Sequence, residues 1–215
     1  VVDESLWSGP AVNPQWATGD LSKSYGTGSH AFNFEDNARG KASVADPAGV
    51  FASRLRAALR DEGITVAGGR PDPKGRVLLG EHRSATIDEI MRSCMMRSDN
   101  QFAEALLRTV ATSGGERGSF ESGAKECMAL WRHNGAPAEG VRIVDGSGLS
   151  RANRMTSRFM CHVLGRMSID PYYASFFPLA GQEGTLRRFL ADTPLDSYIA
   201  LKTGSMNGIQ CYAGY

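Results

Sequence analysis

The stretch Leu201-Lys202-Thr203-Gly204-Ser205-Met206-Asn207-Gly208-Ile209-Gln210-Cys211-Tyr212-Ala213-Gly214-Tyr215 carries the strongest fold signal in the sequence. Two apolar runs, residues 198–203 and 209–215, flank Asn207-Gly208, and this dipeptide readily takes the left-handed backbone that a tight hairpin turn needs. The runs are expected to fold back on each other as antiparallel strands. Upstream, residues 185–190 read as a short helix, and Thr156 can cap a longer one through Phe159, Val163 and Leu164. Residues 141–144 read as a strand. A helix is predicted over 120–133 with Gly135 as its stop, and another over 101–110. Thr86 and Glu89 form a capping box for a helix through Ile87, Ile90 and Met91. Ile64-Thr65-Val66 and Val77-Leu78-Leu79 read as short strands. Asp46-Pro47 opens a helix in which Phe51, Leu55 and Leu59 recur every four residues, with Gly63 closing it. The order implies an α+β fold, a mostly antiparallel sheet with helices packed on it.

Residues 1–46 differ from the rest. They are rich in Gly, Ser, Asn and Pro and keep no helical period, so only short extended pieces between turns are expected. Residues 37–41 read as a loop or junction. The chain has 215 residues with 24 Lys+Arg, 23 Asp+Glu and a net charge of +1, which argues against a nucleic-acid partner. A hydrophobic content of 41% argues against disorder. No apolar run reaches the roughly 18 residues of a membrane-spanning helix. Val1-Val2-Asp3-Glu4 is neither basic nor followed by an apolar stretch, so no signal peptide is expected within these residues. Cys94, Cys127, Cys161 and Cys211 are far apart and form no Cys-x-x-Cys pair; they read as small buried hydrophobes rather than metal ligands.

Three short signals could carry chemistry: Ser98-Asp99-Asn100 between two helices, Lys202-Thr203-Gly204 on the first hairpin strand, and the turn Asp145-Gly146-Ser147-Gly148-Leu149-Ser150-Arg151. Ser-Asp-Asn and Lys-Thr-Gly, joined to a Ser-x-x-Lys, mark the penicillin-recognising serine enzymes. The sequence resembles the D-alanyl-D-alanine carboxypeptidase/endopeptidase family, the class C low-molecular-mass penicillin-binding proteins. The stretch from Ser98 to Leu107, the 145–151 turn, Gly181-Gln182-Glu183-Gly184-Thr185-Leu186, Lys202-Thr203-Gly204-Ser205 and Ala213-Gly214-Tyr215 carry the resemblance. It covers residues 46–215 well. Residues 1–37 are similar more loosely, through Val2-Asp3-Glu4-Ser5 and Ala31-Phe32-Asn33-Phe34.

Two features depart from the family pattern. No Ser-x-x-Lys precedes Ser98. The one present, Ser122-Gly123-Ala124-Lys125, follows it and reads as a solvated mid-helix face opposite Phe120, Cys127, Met128 and Trp131. The link from Asn37 to Asp46 is also short where the family carries a larger inserted region. The simplest account is a piece of a longer polypeptide. On it, residues 1–46 are part of an inserted accessory domain with its junction, and 47–215 are the C-terminal portion of an incomplete penicillin-binding, β-lactamase-like domain.

The resemblance implies a serine-type carboxypeptidase or endopeptidase that acts on peptidoglycan stem peptides through an acyl-enzyme and is inhibited by β-lactams. Its nucleophile and the partner lysine would lie outside these residues. Ser98 would relay a proton to the leaving D-Ala amine, Asn100 would bind a substrate carbonyl, and Lys202 would polarise Ser98. Thr203 would hold the terminal carboxylate, Gly204 would admit the substrate backbone alongside the strand, and the Ser205 N–H would donate to the oxyanion. Plainer roles exist beside these: helix capping for Ser98 and Asn100, and an edge-strand charge for Lys202. The 145–151 turn and Asp99 read as structural, and Arg187 with Arg188 as a solvated charged face. No metal or cofactor is implied, the location would be periplasmic or at the cell surface, and oligomeric state is left open.

The main alternative is a non-catalytic relative that binds peptidoglycan and lacks the nucleophile. A variant of the fold that hydrolyses β-lactams would need a deacylating base that the sequence does not reveal. A Ser-His-Asp hydrolase is disfavoured because His30, His82, His133 and His162 have no nucleophile elbow nearby. A metalloenzyme is disfavoured because there is no His-Glu-x-x-His.

Overall fold

The computed structural model describes residues 2–40, 42–66, 75 and 77–215. Five α-helices among the described residues follow from local signals. Asp46 accepts from the Gly49 N–H and, with Pro47 at the first position, starts α1 (Pro47–Asp61). The Phe51 ring sits between Phe32 and Phe34, with centroids 4.9 and 5.4 Å away, but Leu55 further along is 45% exposed. Thr86 and Glu89 form the reciprocal box that opens α2 (Ile87–Arg97), and Asp99 caps α3 (Asn100–Thr112). Ser119 and Ser122 box the start of α4 (Phe120–His133), and Gly135 at φ +77° ends it. Thr156 caps α5 (Ser157–Met167).

The packing is built on close helix approach. α3 and α4 lie against each other where Gly123 meets the Leu107 carbonyl; a Cβ there would come within 2.1 Å of that oxygen. Met128 on α4, Phe159 on α5 and Ala136 form a buried cluster with Trp131, Val141, Ile143 and Val163 around it. Trp131 and Phe159 meet edge to face at 6.4 Å.

β1 (Ala38–Arg39) and β2 (Ala42–Ser43) make a small antiparallel ribbon. β3 (Leu201–Met206) and β4 (Ile209–Gly214) form the hairpin, in the register Lys202↔Ala213, Gly204↔Cys211 and Met206↔Ile209, with Gly208 at φ +81° in the turn. The first strand starts later than the sequence pattern suggested: Tyr198 is 81% exposed, and pairing sets in where Ala200 and Tyr215 exchange backbone hydrogen bonds at 2.9 and 2.7 Å. The α+β class holds, with helices flanking small antiparallel sheets.

Several expected elements are shorter or absent. Ile64–Val66 and Val77–Leu79 do not form strands, because no described segment pairs with them; Leu79 is 96% exposed. The strand expected over 141–144 reduces to one bridge, Arg142 with Arg154, with both N–H···O bonds at 2.8 Å. The helix expected over 185–190 is a 3-10 turn, Gly184–Leu186, and the chain turns away where Leu190 takes φ +56°. Cys161 and Cys211 are exposed rather than buried. Their apolar character did not decide their placement, since α5 and β4 present those positions outward.

The irregular first segment is laced across the helices. Trp7 bridges to Gly118, the Asn13 amide donates to the Val144 carbonyl at 2.9 Å, and the Trp16 indole donates to Asp145 at 2.8 Å. Arg108 of α3, 2% exposed, donates to the carbonyls of Ser8, Pro10 and Ser29 at 2.8, 3.3 and 2.6 Å. Its guanidinium lies 4.8 Å from the ring centroids of both Trp7 and Phe120. Among the described residues no helix is long and apolar enough to cross a membrane.

Candidate active site

α2 and α3 meet at a sharp joint made by Ser98. Its backbone is left-handed, φ 56° and ψ 50°, and its N–H closes the end of α2 on the Cys94 carbonyl. Asp99 then starts α3: one carboxylate oxygen accepts from the Phe102 N–H at 3.0 Å and the other from Arg97 at 3.1 Å. The capping role therefore belongs to Asp99, which leaves the Ser98 hydroxyl free to face outward. Lys202, the second residue of β3, reaches it: Nζ donates to Ser98 Oγ at 2.7 Å and to the Thr203 carbonyl at 2.6 Å. Burial between hairpin and helix lowers the Lys202 pKa from its ordinary value. Beneath it, burial pushes the Cys94 thiol up to about 11, with Asp99 adding to the effect, so this thiol is unionised at neutral pH.

The other sequence-predicted residues fall around this pair. Asn100 opens α3 two positions from Ser98, and its Nδ2 donates to the Tyr25 carbonyl at 2.9 Å, not into open space. Thr203 points to the opposite face of the strand from Lys202, and its hydroxyl lies 3.4 Å from that of Thr185. Gly204 faces Cys211 across the hairpin; a Cβ at 204 would come within 2.4 Å of Cys211 Sγ. Ser205 is exposed on β3.

Ser122 and Lys125 are not brought to this place. Ser122 lies in the first turn of α4, not mid-helix, and its hydroxyl accepts from the Ser119 N–H at 2.9 Å. Gly123 and Ala124 beside it are buried rather than solvated. No group of three or more His, Cys, Asp or Glu side chains among the described residues could hold a metal ion.

One constellation escaped the sequence reading. Glu104, with no exposed surface, accepts from the Gly146 N–H at 2.8 Å, the Ser147 N–H at 2.9 Å and the Ser147 hydroxyl at 2.5 Å. Burial, and then the neighbouring Asp145 carboxylate, raise its pKa to about 7. Asp145 binds the rest of the turn, accepting from the N–H groups of Gly148 and Ser150 and from the Asn153 amide. The available signal was the spacing of Asn100, Glu104 and Arg108, which puts three polar side chains on one face of α3.

The sequence pattern of the D-Ala-D-Ala carboxypeptidase 3 (S13) family matches residues 35–215. The D-alanyl-D-alanine carboxypeptidase of Actinomadura sp. (strain R39) is 29% identical over 187 residues, covering 80% of this chain and 35% of that protein. Carboxypeptidase DacB of Mycolicibacterium smegmatis is 29% identical over 231 residues, covering 99% of this chain and 49% of its own length. The crystal structure of penicillin binding protein 4 (dacB) from Haemophilus influenzae superposes with a TM-score of 0.85 at 20% identity, over 99% of this chain and 64% of that one. A structure of that protein complexed with a β-lactam gives 0.72 at 30% identity, over 80% of this chain and 41% of that one. The chain spans between a third and a half of the length of these two curated relatives. The fold, the Ser98–Lys202 pairing and the match over residues 35–215 lead to one assignment: the chain belongs to the D-Ala-D-Ala carboxypeptidase 3 (S13) family.

Proposed function

We propose that these residues form part of a serine-type D-Ala-D-Ala carboxypeptidase or endopeptidase that cuts peptidoglycan stem peptides through an acyl-enzyme and is blocked by β-lactams. The observation that carries this reading is the 2.7 Å hydrogen bond from Lys202 to the Ser98 hydroxyl, made between segments 104 residues apart. A solvated lysine gains little from such a contact; one drawn in from water marks a hydroxyl whose charge matters. In this reading the ammonium holds Ser98 so that its hydroxyl gives its own proton to the departing amine while its oxygen takes up the one released on the nucleophile's side. Thr203 binds the terminal carboxylate of the peptide, Gly204 leaves room for its backbone beside β3, and the Ser205 N–H supports the oxyanion. Asn100 turns from Tyr25 to the substrate carbonyl. The nucleophile and its lysine come from another part of the full-length protein, and the site works where peptidoglycan lies, in the periplasm or at the cell surface.

A second reading rests on one observation: the only Ser-x-x-Lys of the sequence is tied up in the α4 cap. On it, the protein binds peptidoglycan peptides without cutting them. An intact mass spectrum of the full-length protein, taken with and without excess penicillin, decides between the two. Gain of one penicillin mass supports the acyl-enzyme; no gain withdraws catalysis and leaves the binding reading.

A further inference from the structure

The hairpin that carries Lys202 is docked at its open end and middle: the Leu201 N–H donates to the Pro178 carbonyl at 3.1 Å, Thr203 meets Thr185, and the Tyr212 ring stacks on Phe189 with centroids 5.3 Å apart. Ile209, Gln210, Cys211 and Tyr212 on β4 are all exposed, and an isolated two-stranded ribbon is marginal in water. The 145–151 turn adds a link at the other end of the hairpin, its tip. Its near end lies flush on α3: a Cβ on Gly146 would come within 2.2 Å of the Ala103 carbonyl, and Glu104 takes the Gly146 and Ser147 donors. Asp145 fixes its interior through the Gly148 and Ser150 amides. At its far end Arg151 donates through Nη2 to the Asn207 carbonyl at 3.2 Å, at the tip between β3 and β4. A fully buried carboxylate is costly to keep unless its hydrogen bonds serve a purpose. Here all three go to a turn with no regular secondary structure of its own.

We propose that the 145–151 turn is a strut between α3 and the β3–β4 hairpin, and that Glu104 is a positioning residue which, through it, sets Lys202 at its distance from Ser98. The catalytic consequence rests on the carboxypeptidase reading; the mechanical one does not.

The test uses the full-length protein with Glu104→Gln, Arg151→Ala, the double variant and Arg151→Lys. Glu104→Gln sets an amide N–H against a backbone N–H, Arg151→Ala removes the tether, and Arg151→Lys keeps a donor for the Asn207 carbonyl. Hydrogen exchange should rise about tenfold over 201–214 in either single variant. The double variant should exchange no faster than the worse single one, since both cut the same link, and Arg151→Lys should stay near wild type. Penicillin acylation should slow by about tenfold to a hundredfold in the single variants, with the titrated number of active sites unchanged. A mere folding defect would lower that number instead.

An exchange increase confined to α3 and 144–153, or single effects that add in the double variant, overturns the strut. Arg151→Ala, which alters an exposed side chain, keeps the test decisive if Glu104→Gln fails to fold. If the wild-type protein takes up no penicillin, the functional reading fails while the exchange pattern still decides the mechanical one.

Discussion

Lys202 Nζ reaches the Ser98 hydroxyl at 2.7 Å and has no carboxylate within ion-pair distance among the described residues. A half-buried ammonium held by a hydroxyl and a backbone carbonyl alone is suited to act on the hydroxyl. Lys202→Ala in the full-length protein is therefore expected to abolish acylation by penicillin, read as loss of the adduct in an intact mass spectrum. Because burial lowers the lysine's pKa, the wild-type rate should fall on the alkaline side below the pH at which a free lysine titrates. Normal acylation of the alanine variant would falsify the assignment of Lys202.

Ser122 sits in a Ser-x-x-Lys, yet its hydroxyl completes a helix cap. Ser122→Ala should cost about 1 kcal/mol in chemical denaturation and leave penicillin uptake unchanged. An adduct that disappears with this substitution would make Ser122 the nucleophile and overturn this reading.

Arg108 gathers three carbonyls of the first segment and two aromatic rings. Its loss would leave buried acceptors unpaired, so Arg108→Ala should destabilise the protein by about 3 kcal/mol. Arg108→Lys should recover less than half of this, because an ammonium cannot reproduce the planar fork and the ring contacts together.

Glu104 gives stability a pH dependence of defined sign. Burial raises its folded-state pKa to about 7 from an ordinary value of 4.5, so the fold binds this proton more tightly than the unfolded chain does. Its contribution is complete below pH 4.5 and fades as pH rises through about 7, a change of about 3 kcal/mol. Denaturation midpoints measured over that range should show this loss in the wild type and a flatter profile in Glu104→Gln.

Gly204 and Cys211 should behave as a pair. Gly204→Ala drives its Cβ into Cys211 Sγ and should cost about 1–3 kcal/mol. Adding Cys211→Ala should recover most of it, and equal losses in the single and double variants would show that strand curvature, not the thiol, demands the glycine.

Elements announced by a cap were legible in the sequence. Asp46-Pro47, the Thr86–Glu89 box, Thr156 and Asn207-Gly208 each satisfy or shape backbone within a few residues, so the signal and its consequence are both local. Ile64–Val66, Val77–Leu79 and residues 141–144 have strand-forming side chains, but a strand exists only with a partner, and partners are not encoded nearby. The site divides in the same way. Ser98, Asn100 and Lys202 stood out as motif residues, while Glu104 and Arg108 looked like ordinary helical polar positions. Their importance comes from loops brought onto α3 by the fold.

The backbone at Ser98 determines which substitutions there can be interpreted. A left-handed residue with a Cβ carries a conformational cost of about 1–2 kcal/mol. The usual alanine exchange would keep that cost while deleting the hydroxyl. Glycine would delete the hydroxyl and relax the joint, and asparagine would tolerate the conformation while offering a different polar group. A set of all three separates chemistry from hinge mechanics at one position. It also marks this corner between two helices as a place where a lineage could shed or regain the hydroxyl by single exchanges while the elbow itself survives.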